Sequence, residues 1–216
     1  MRIETFVIGI GGVNCYYVIN EDTKEAVVVD PGAYPKRVRS FIEKEGIDIK
    51  AILLTHGHFD HIMGLKDMED ALGNNIPIYI HEKEIYKLSD AKANHSATYT
   101  DGYVYETDLI VPVKDGDVLD LIGYSFQVIY TPGHTIGGCC YYVKSEDVLF
   151  AGDTLFRANV GRCDFEDGDI VAIKKSIREK LFLLPDDTKV LPGHDMASTI
   201  GWEKIHNPYV NEEDLV

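Results

Sequence analysis

No apolar run in this sequence approaches the roughly 20 residues needed to cross a bilayer, so a helical membrane protein is not expected. Cysteine is scarce: Cys15, Cys139, Cys140 and Cys163, with no CxxC pair. Adjacent cysteines rarely bond each other, and in a cytosolic protein the four read most simply as reduced, partly buried thiols. Basic residues are outnumbered, with 21 Lys and Arg against 36 Asp and Glu and a formal charge of −15. An acidic surface repels phosphate backbones, and nucleic acid is not an expected partner. There is no low-complexity tract and no linker. The opening Met1 to Thr5 carries Glu4 and lacks the apolar core of a signal peptide, so the expected location is the cytoplasm.

What is present is a 216-residue chain with 45% hydrophobic residues, enough for one domain (residues 1–216) with a full core. Short β-rich runs occur at 3–8, 14–19 and 26–29, the last stopped by Asp30-Pro31-Gly32. Helical spacing at 36–44 ends at Gly46. The apolar run 51–55 reads as a strand buried on both faces, followed by a helix to about Leu72. A strand at 77–80 and a helix at 82–88 precede an irregular stretch, 90–110, a candidate lid. The second half repeats this grammar, with strands at 118–121, 124–130, 139–143, 148–151 and 189–191. A helix from Asp169, a candidate N-cap, runs to Leu183, and an acidic tail occupies 211–216. This order predicts an α/β (α+β) fold in which two sheets pack together with helices outside.

The chemistry concentrates in Thr55-His56-Gly57-His58-Phe59-Asp60-His61, where four potential metal ligands fall within six residues just past a buried strand. On a turn, such ligands can converge from two sides. Imidazole and carboxylate suit zinc, iron and manganese. Gly57 lets the backbone pass close to the crowded site. Three further residues follow strands and small-residue turns: His134 after Pro132-Gly133, Asp153 after Gly152, and His194 after Pro192-Gly193. Strand ends on one edge of an α/β structure are where ligands gather.

Other signals carry less. Gly9 to Asn14 begins like a dinucleotide fingerprint, but Asn14 stands where the last glycine belongs and a strand follows instead of a helix. Arg162 is a candidate for binding a substrate carboxylate in two-pronged fashion, or for a structural salt bridge. Cys163 is a candidate reactive thiol with no neighbouring base. His81 reads as structural, and His95 and His206 lie outside the motif.

With these residues in place the chain resembles the metallo-β-lactamase fold superfamily. Within it, the chain is similar to the short, single-domain glyoxalase II (hydroxyacylglutathione hydrolase) group. The resemblance is carried by Val29-Asp30-Pro31-Gly32, the 56–61 motif, Gly133-His134-Thr135, Gly152-Asp153-Thr154-Leu155-Phe156, Gly161-Arg162 and Gly193-His194. It implies an αββα sandwich and two divalent metal ions, zinc first, with iron or manganese as alternatives. His56, His58 and His134 would hold one ion. Asp60, His61 and His194 would hold the other, and Asp153 would bridge them. Asp30 would support the site from behind. The implied reaction is hydrolysis of a small acyl thioester by a water whose pKa two metals roughly 3.5–4 Å apart lower toward about 7. Asp60 and Asp153 are the candidate catalytic carboxylates, Asp60 orienting the hydroxide. Persulfide dioxygenases resemble the chain at the same motifs and at Gly161 to Phe165. In that alternative one iron would sit on His56, His134 and Asp153.

Overall fold

The computed structural model describes residues 1–73 and 75–211, so the acidic stretch beyond Asn211 lies outside the described residues. Two compact units are present: Met1–Val113 with Asp120–Tyr124, and Lys114–Leu119 with Ser125–Val216.

The first unit holds β1 (Arg2–Ile8), β2 (Val13–Ile19), β3 (Glu25–Val29), α1 (Lys36–Glu45), β4 (Asp48–Leu54), α2 (Phe59–Ile62) and α3 (Leu65–Leu72). After these come β5 (Ile78–His81), α4 (Ile85–Leu88), α5 (Ser96–Tyr99) and β6 (Ile110–Val113). Its sheet runs β1-β2-β3-β4-β5-β6. The first two pairings are antiparallel and the next three parallel. Every residue of β2 is buried, as are Ala51 to Leu54 of β4, which explains their unbroken apolar runs. Residues 9–12 join β1 to β2, with Ile8 opposite Val13, so the glycine cluster is a hairpin turn and not a nucleotide loop. Helix α1 buries Val38 and Ile42 and stops at Gly46, whose left-handed backbone (φ 66°) closes the last turn.

The expected helix from the 56–61 motif to Leu72 is broken into α2 and α3 around Gly64. A Cβ on Gly64 would lie 2.5 Å from the Pro31 carbonyl oxygen, so the chain bends where it presses on the Asp30-Pro31-Gly32 turn. The stretch 90–110 is more ordered than its composition predicts. It contains α5, and it leads into β6, a short strand with no alternating pattern. Asn94 organises it: the amide donates to the carbonyls of Lys87 (3.0 Å) and Tyr103 (2.8 Å), and its Oδ1 accepts from the Ser96 N–H at 2.9 Å.

A second sheet runs β14-β13-β10-β9-β8-β7. Its strands are β7 (Val118–Leu121), β8 (Tyr124–Tyr130), β9 (Cys139–Val143), β10 (Val148–Gly152), β13 (Lys189–Pro192) and β14 (Ser198–Thr199). Between β10 and β13 come a small ribbon, β11 (Leu155–Phe156) and β12 (Asn159–Val160), and helix α6 (Ile170–Glu179). Helices α7 (Ile200–His206) and α8 (Pro208–Asn211) follow. β10 and β13 are parallel, which leaves the ligand-bearing residues after both strands at the same sheet edge. Asp169 caps α6 by accepting from Val171 N–H (2.8 Å) and Ala172 N–H (2.9 Å). The helix ends at Glu179, and residues 181–183 tighten into a 3-10 turn. Ile173, Ile177, Leu181, Val190 and Ile200 centre the core of this unit. Among the described residues no helix is long and apolar enough to cross a membrane.

Candidate metal centre

In the first unit, β4 ends at Leu54 and delivers Thr55 and the ligand loop to the end of the sheet. Asp30, at the end of β3, lies beneath that loop and is 2% exposed. It adopts a left-handed backbone (φ 50°), a conformation that Asp tolerates better than most residues. Its Oδ1 accepts from the Thr55 N–H at 2.8 Å. Its Oδ2 takes the Thr55 hydroxyl at 2.6 Å and His61 Nδ1–H at 2.9 Å. A buried carboxylate is thus satisfied by three donors.

These bonds fix protons. His61 spends Nδ1–H on Asp30, so its Nε2 carries the lone pair. Thr55 has already given its only hydroxyl proton to Asp30, so its 3.1 Å contact with His56 Nδ1 is one in which the imidazole donates. His56 Nε2 is then also a lone pair. It stands 3.1 Å from His58 Nδ1, close to the separation of about 3.4 Å expected for two ligands at about 2.1 Å from one tetrahedral ion. Asp60 Oδ2 lies 3.9 Å from His61 Nε2. The approach is possible because Gly32 has no side chain: a Cβ there would fall 1.9 Å from the Asp60 carbonyl oxygen. His95, outside the motif, packs its ring against His58 with centroids 4.8 Å apart.

In the second unit three turns each present one candidate ligand. Pro132-Gly133-His134 follows β8 and is clamped by α6, where Ser176 Oγ donates to Pro132 O (2.9 Å) and Asp169 N–H to Gly133 O (2.8 Å). His134 Nδ1–H donates to the Arg162 carbonyl at 2.8 Å, which leaves Nε2 for a ligand. Asp153 follows β10, and its Oδ2 lies 3.6 Å from His134 Nε2 and 3.5 Å from His194 Nε2. Both distances are longer than an ordinary hydrogen bond and compatible with side chains grouped as candidate ligands. Buried Thr131 and Thr154 bond through their hydroxyls at 2.9 Å, tying the two ligand-bearing strand ends together.

Arg162 contributes through its backbone. Its guanidinium forms a two-pronged pair with Asp164 (2.7 and 2.8 Å) and lies 4.1 Å over the Phe165 ring. That pairing holds the Asp164 carboxyl down at about 2. Cys163 is half-buried, and burial pushes its thiol up to about 11, far from the range of a reactive thiolate. All four cysteines are free thiols. His81 is buried and its Nδ1 accepts from the Lys83 N–H at 3.3 Å, while His206 stacks on Trp202.

Of the supporting residues, the sequence marked only Asp30, through the family resemblance. Thr55 was visible only as the residue before the motif, and no periodicity marks Asn94 or Thr131. The imidazole and carboxylate groups and their spacing fit divalent zinc, iron or manganese.

Residues 8–194 match the Metallo-beta-lactamase superfamily. A hydroxyacylglutathione hydrolase, GloC, of Haemophilus influenzae is 32% identical over 217 residues, covering 99% of this chain and 100% of its own. The solved structure of BLEG-1 B3 metallo-beta-lactamase is 36% identical with a TM-score of 0.89, covering 98% of this chain and 100% of that one. The structure of TTHA1623 in a di-iron-bound form is 32% identical with a TM-score of 0.81, covering 95% and 99%. Two mixed sheets flanked by helices, ligand turns at their strand ends and a match spanning nearly every residue lead to one assignment: this chain belongs to the metallo-β-lactamase superfamily.

Proposed function

We propose that this metallo-hydrolase binds two divalent metal ions and cleaves a small acyl thioester of the hydroxyacylglutathione class. His56, His58 and His134 would hold one ion, Asp60, His61 and His194 the other, with Asp153 shared. Two such ions supply Lewis acidity and lower the pKa of water from 15.7 toward about 7.

The observation that supports this most directly is the proton pattern. His56, His61 and His134 each commit Nδ1–H to an acceptor, Thr55 Oγ1, Asp30 or the Arg162 carbonyl, and so each offers Nε2. The chain's own residues then divide the work. Asp30 and Thr55 hold two imidazoles in the metal-binding tautomer. Asp60 accepts a hydrogen bond from the attacking water and orients it. A thiol of pKa near ~8.5 leaves without an acid, so no protein nucleophile or general acid is required. The thioester class is supported by the full-length similarity to the Haemophilus influenzae hydrolase. A metal-and-carboxylate site in a chain of charge −15 favours a small substrate over a polyanionic one. The cytoplasm is the proposed location.

The test is elemental analysis of anaerobically purified protein combined with assays on S-lactoylglutathione and on glutathione persulfide. Two metal equivalents with thioester cleavage are expected. One iron with oxygen consumption on the persulfide would overturn the proposal in favour of a dioxygenase.

A further inference from the structure

The turn between His56 and His58 is seated on a buried ion pair that hydrolysis does not use. Glu84 is 0% and Lys87 1% exposed. Glu84 Oε2 accepts the Gly57 N–H at 2.9 Å and lies 3.9 Å from Lys87 Nζ. The stem of Lys87 lies flat against the same glycine: a Cβ at position 57 would stand 2.7 Å from Lys87 Cβ and 3.3 Å from the Glu84 carbonyl oxygen. The seat is itself anchored, because Asn94 donates from its amide to Lys87 O at 3.0 Å and accepts the Phe59 N–H on its own carbonyl at 2.9 Å.

Burying two charges is costly, and well-packed apolar residues usually fill such space at less expense. A charge-assisted bond to a backbone N–H is stronger and more directional than a neutral one. Glu84 makes that bond at the His56–Gly57 peptide, between two candidate ligand histidines. Lys87 balances the charge, so the bond is made without leaving a net negative charge under the loop. We propose that Glu84 is a positioning residue, countered by Lys87, that sets the Gly57 backbone so that His56 Nε2 and His58 Nδ1 meet one ion. This inference rests on the metal reading above.

The experiment is a Co(II) titration of the full-length apoprotein, followed by the visible ligand-field bands and compared with circular dichroism. Glu84→Ala should weaken one of two Co(II) equivalents by about 10–100-fold while the second is unchanged. Glu84→Asp, which keeps the charge but withdraws the oxygen from Gly57, should weaken the same equivalent and decides the matter should the alanine variant not fold. Glu84→Gln with Lys87→Met restores a neutral acceptor and removes the stranded cation, and should return affinity to within about threefold. Wild-type Co(II) affinity in a folded Glu84→Ala or Glu84→Asp protein, or no recovery in the double variant, would overturn the inference. The metal reading fails separately, through wild-type protein that takes up no Co(II) or a His58→Ala protein that binds as wild type does.

Discussion

The two units present ligands in opposite ways. In the first, four candidate ligands crowd into positions 56–61, and two of them are held by side chains: Asp30 and Thr55 take the outward protons of His61 and His56. In the second, the candidate ligands His134, Asp153 and His194 arrive from separate strand ends, and the imidazole of His134 is held by a backbone carbonyl. His134 leans on a carbonyl, and the turn before it is clamped by main-chain and hydroxyl bonds from α6. A crowded loop has too few backbone groups facing its imidazoles, so a buried carboxylate from another strand is recruited. His134, alone at its strand end, meets the Arg162 carbonyl of a neighbouring loop, which does the same task.

The largest expected effect strikes the backbone-built half. A Cβ on Gly161 would fall 1.8 Å from the Asp153 carbonyl oxygen and 3.1 Å from His134 Cβ. Neither atom belongs to a flexible side-chain end, so the loop must move. Gly161→Ala is expected to destabilise the protein by about 3 kcal/mol or more, read as a lower midpoint in urea at unchanged slope. A variant as stable as wild type would show that the loop is not close-packed on Asp153.

The side-chain-built half should respond in metal affinity instead. Asp30→Ala leaves His61 Nδ1 and the Thr55 N–H without their acceptor. The expected loss is about 10–100-fold in metal affinity, measured by competition with a chelator of known strength. Asp30→Asn keeps an oxygen for one donor and should fall between Asp30→Ala and wild type. Equal affinities for all three proteins would remove Asp30 from the support of the site.

The same contrast explains what could be read from sequence. The motif at 56–61 stood out because its ligands are contiguous and follow an apolar strand. Position 30 was legible only through family resemblance, since nothing local connects it to His61. The strands β2, β3, β4 and β10 were legible because burial on both faces imposes continuous apolar runs. β6 was not: Ile110-Val111-Pro112-Val113 is an edge strand of the first sheet, where a proline is tolerated and no alternation is enforced. The break between α2 and α3 also escaped. Its cause is contact of Gly64 with Pro31 and Ala33, remote in sequence. The order in 90–105 rests on two buried polar side chains, Asn94 and Ser96, and composition does not register individual side chains.

The smallest expected effect separates a residue's backbone from its side chain. Arg162 supports His134 through its carbonyl, while its guanidinium is engaged by Asp164 and stacks on Phe165. Arg162→Ala keeps the carbonyl and deletes only the exposed pair, which surface pairing makes nearly neutral for folding. Metal affinity should therefore stay within about threefold of wild type, in contrast to Asp30→Ala. If the guanidinium leaves Asp164 to hold a substrate carboxylate, KM rises and kcat is kept, because binding lost equally from ground and transition states changes only KM. A drop in metal affinity comparable to that of Asp30→Ala would show that the guanidinium and not the peptide orients His134, and the distinction between the two halves would collapse.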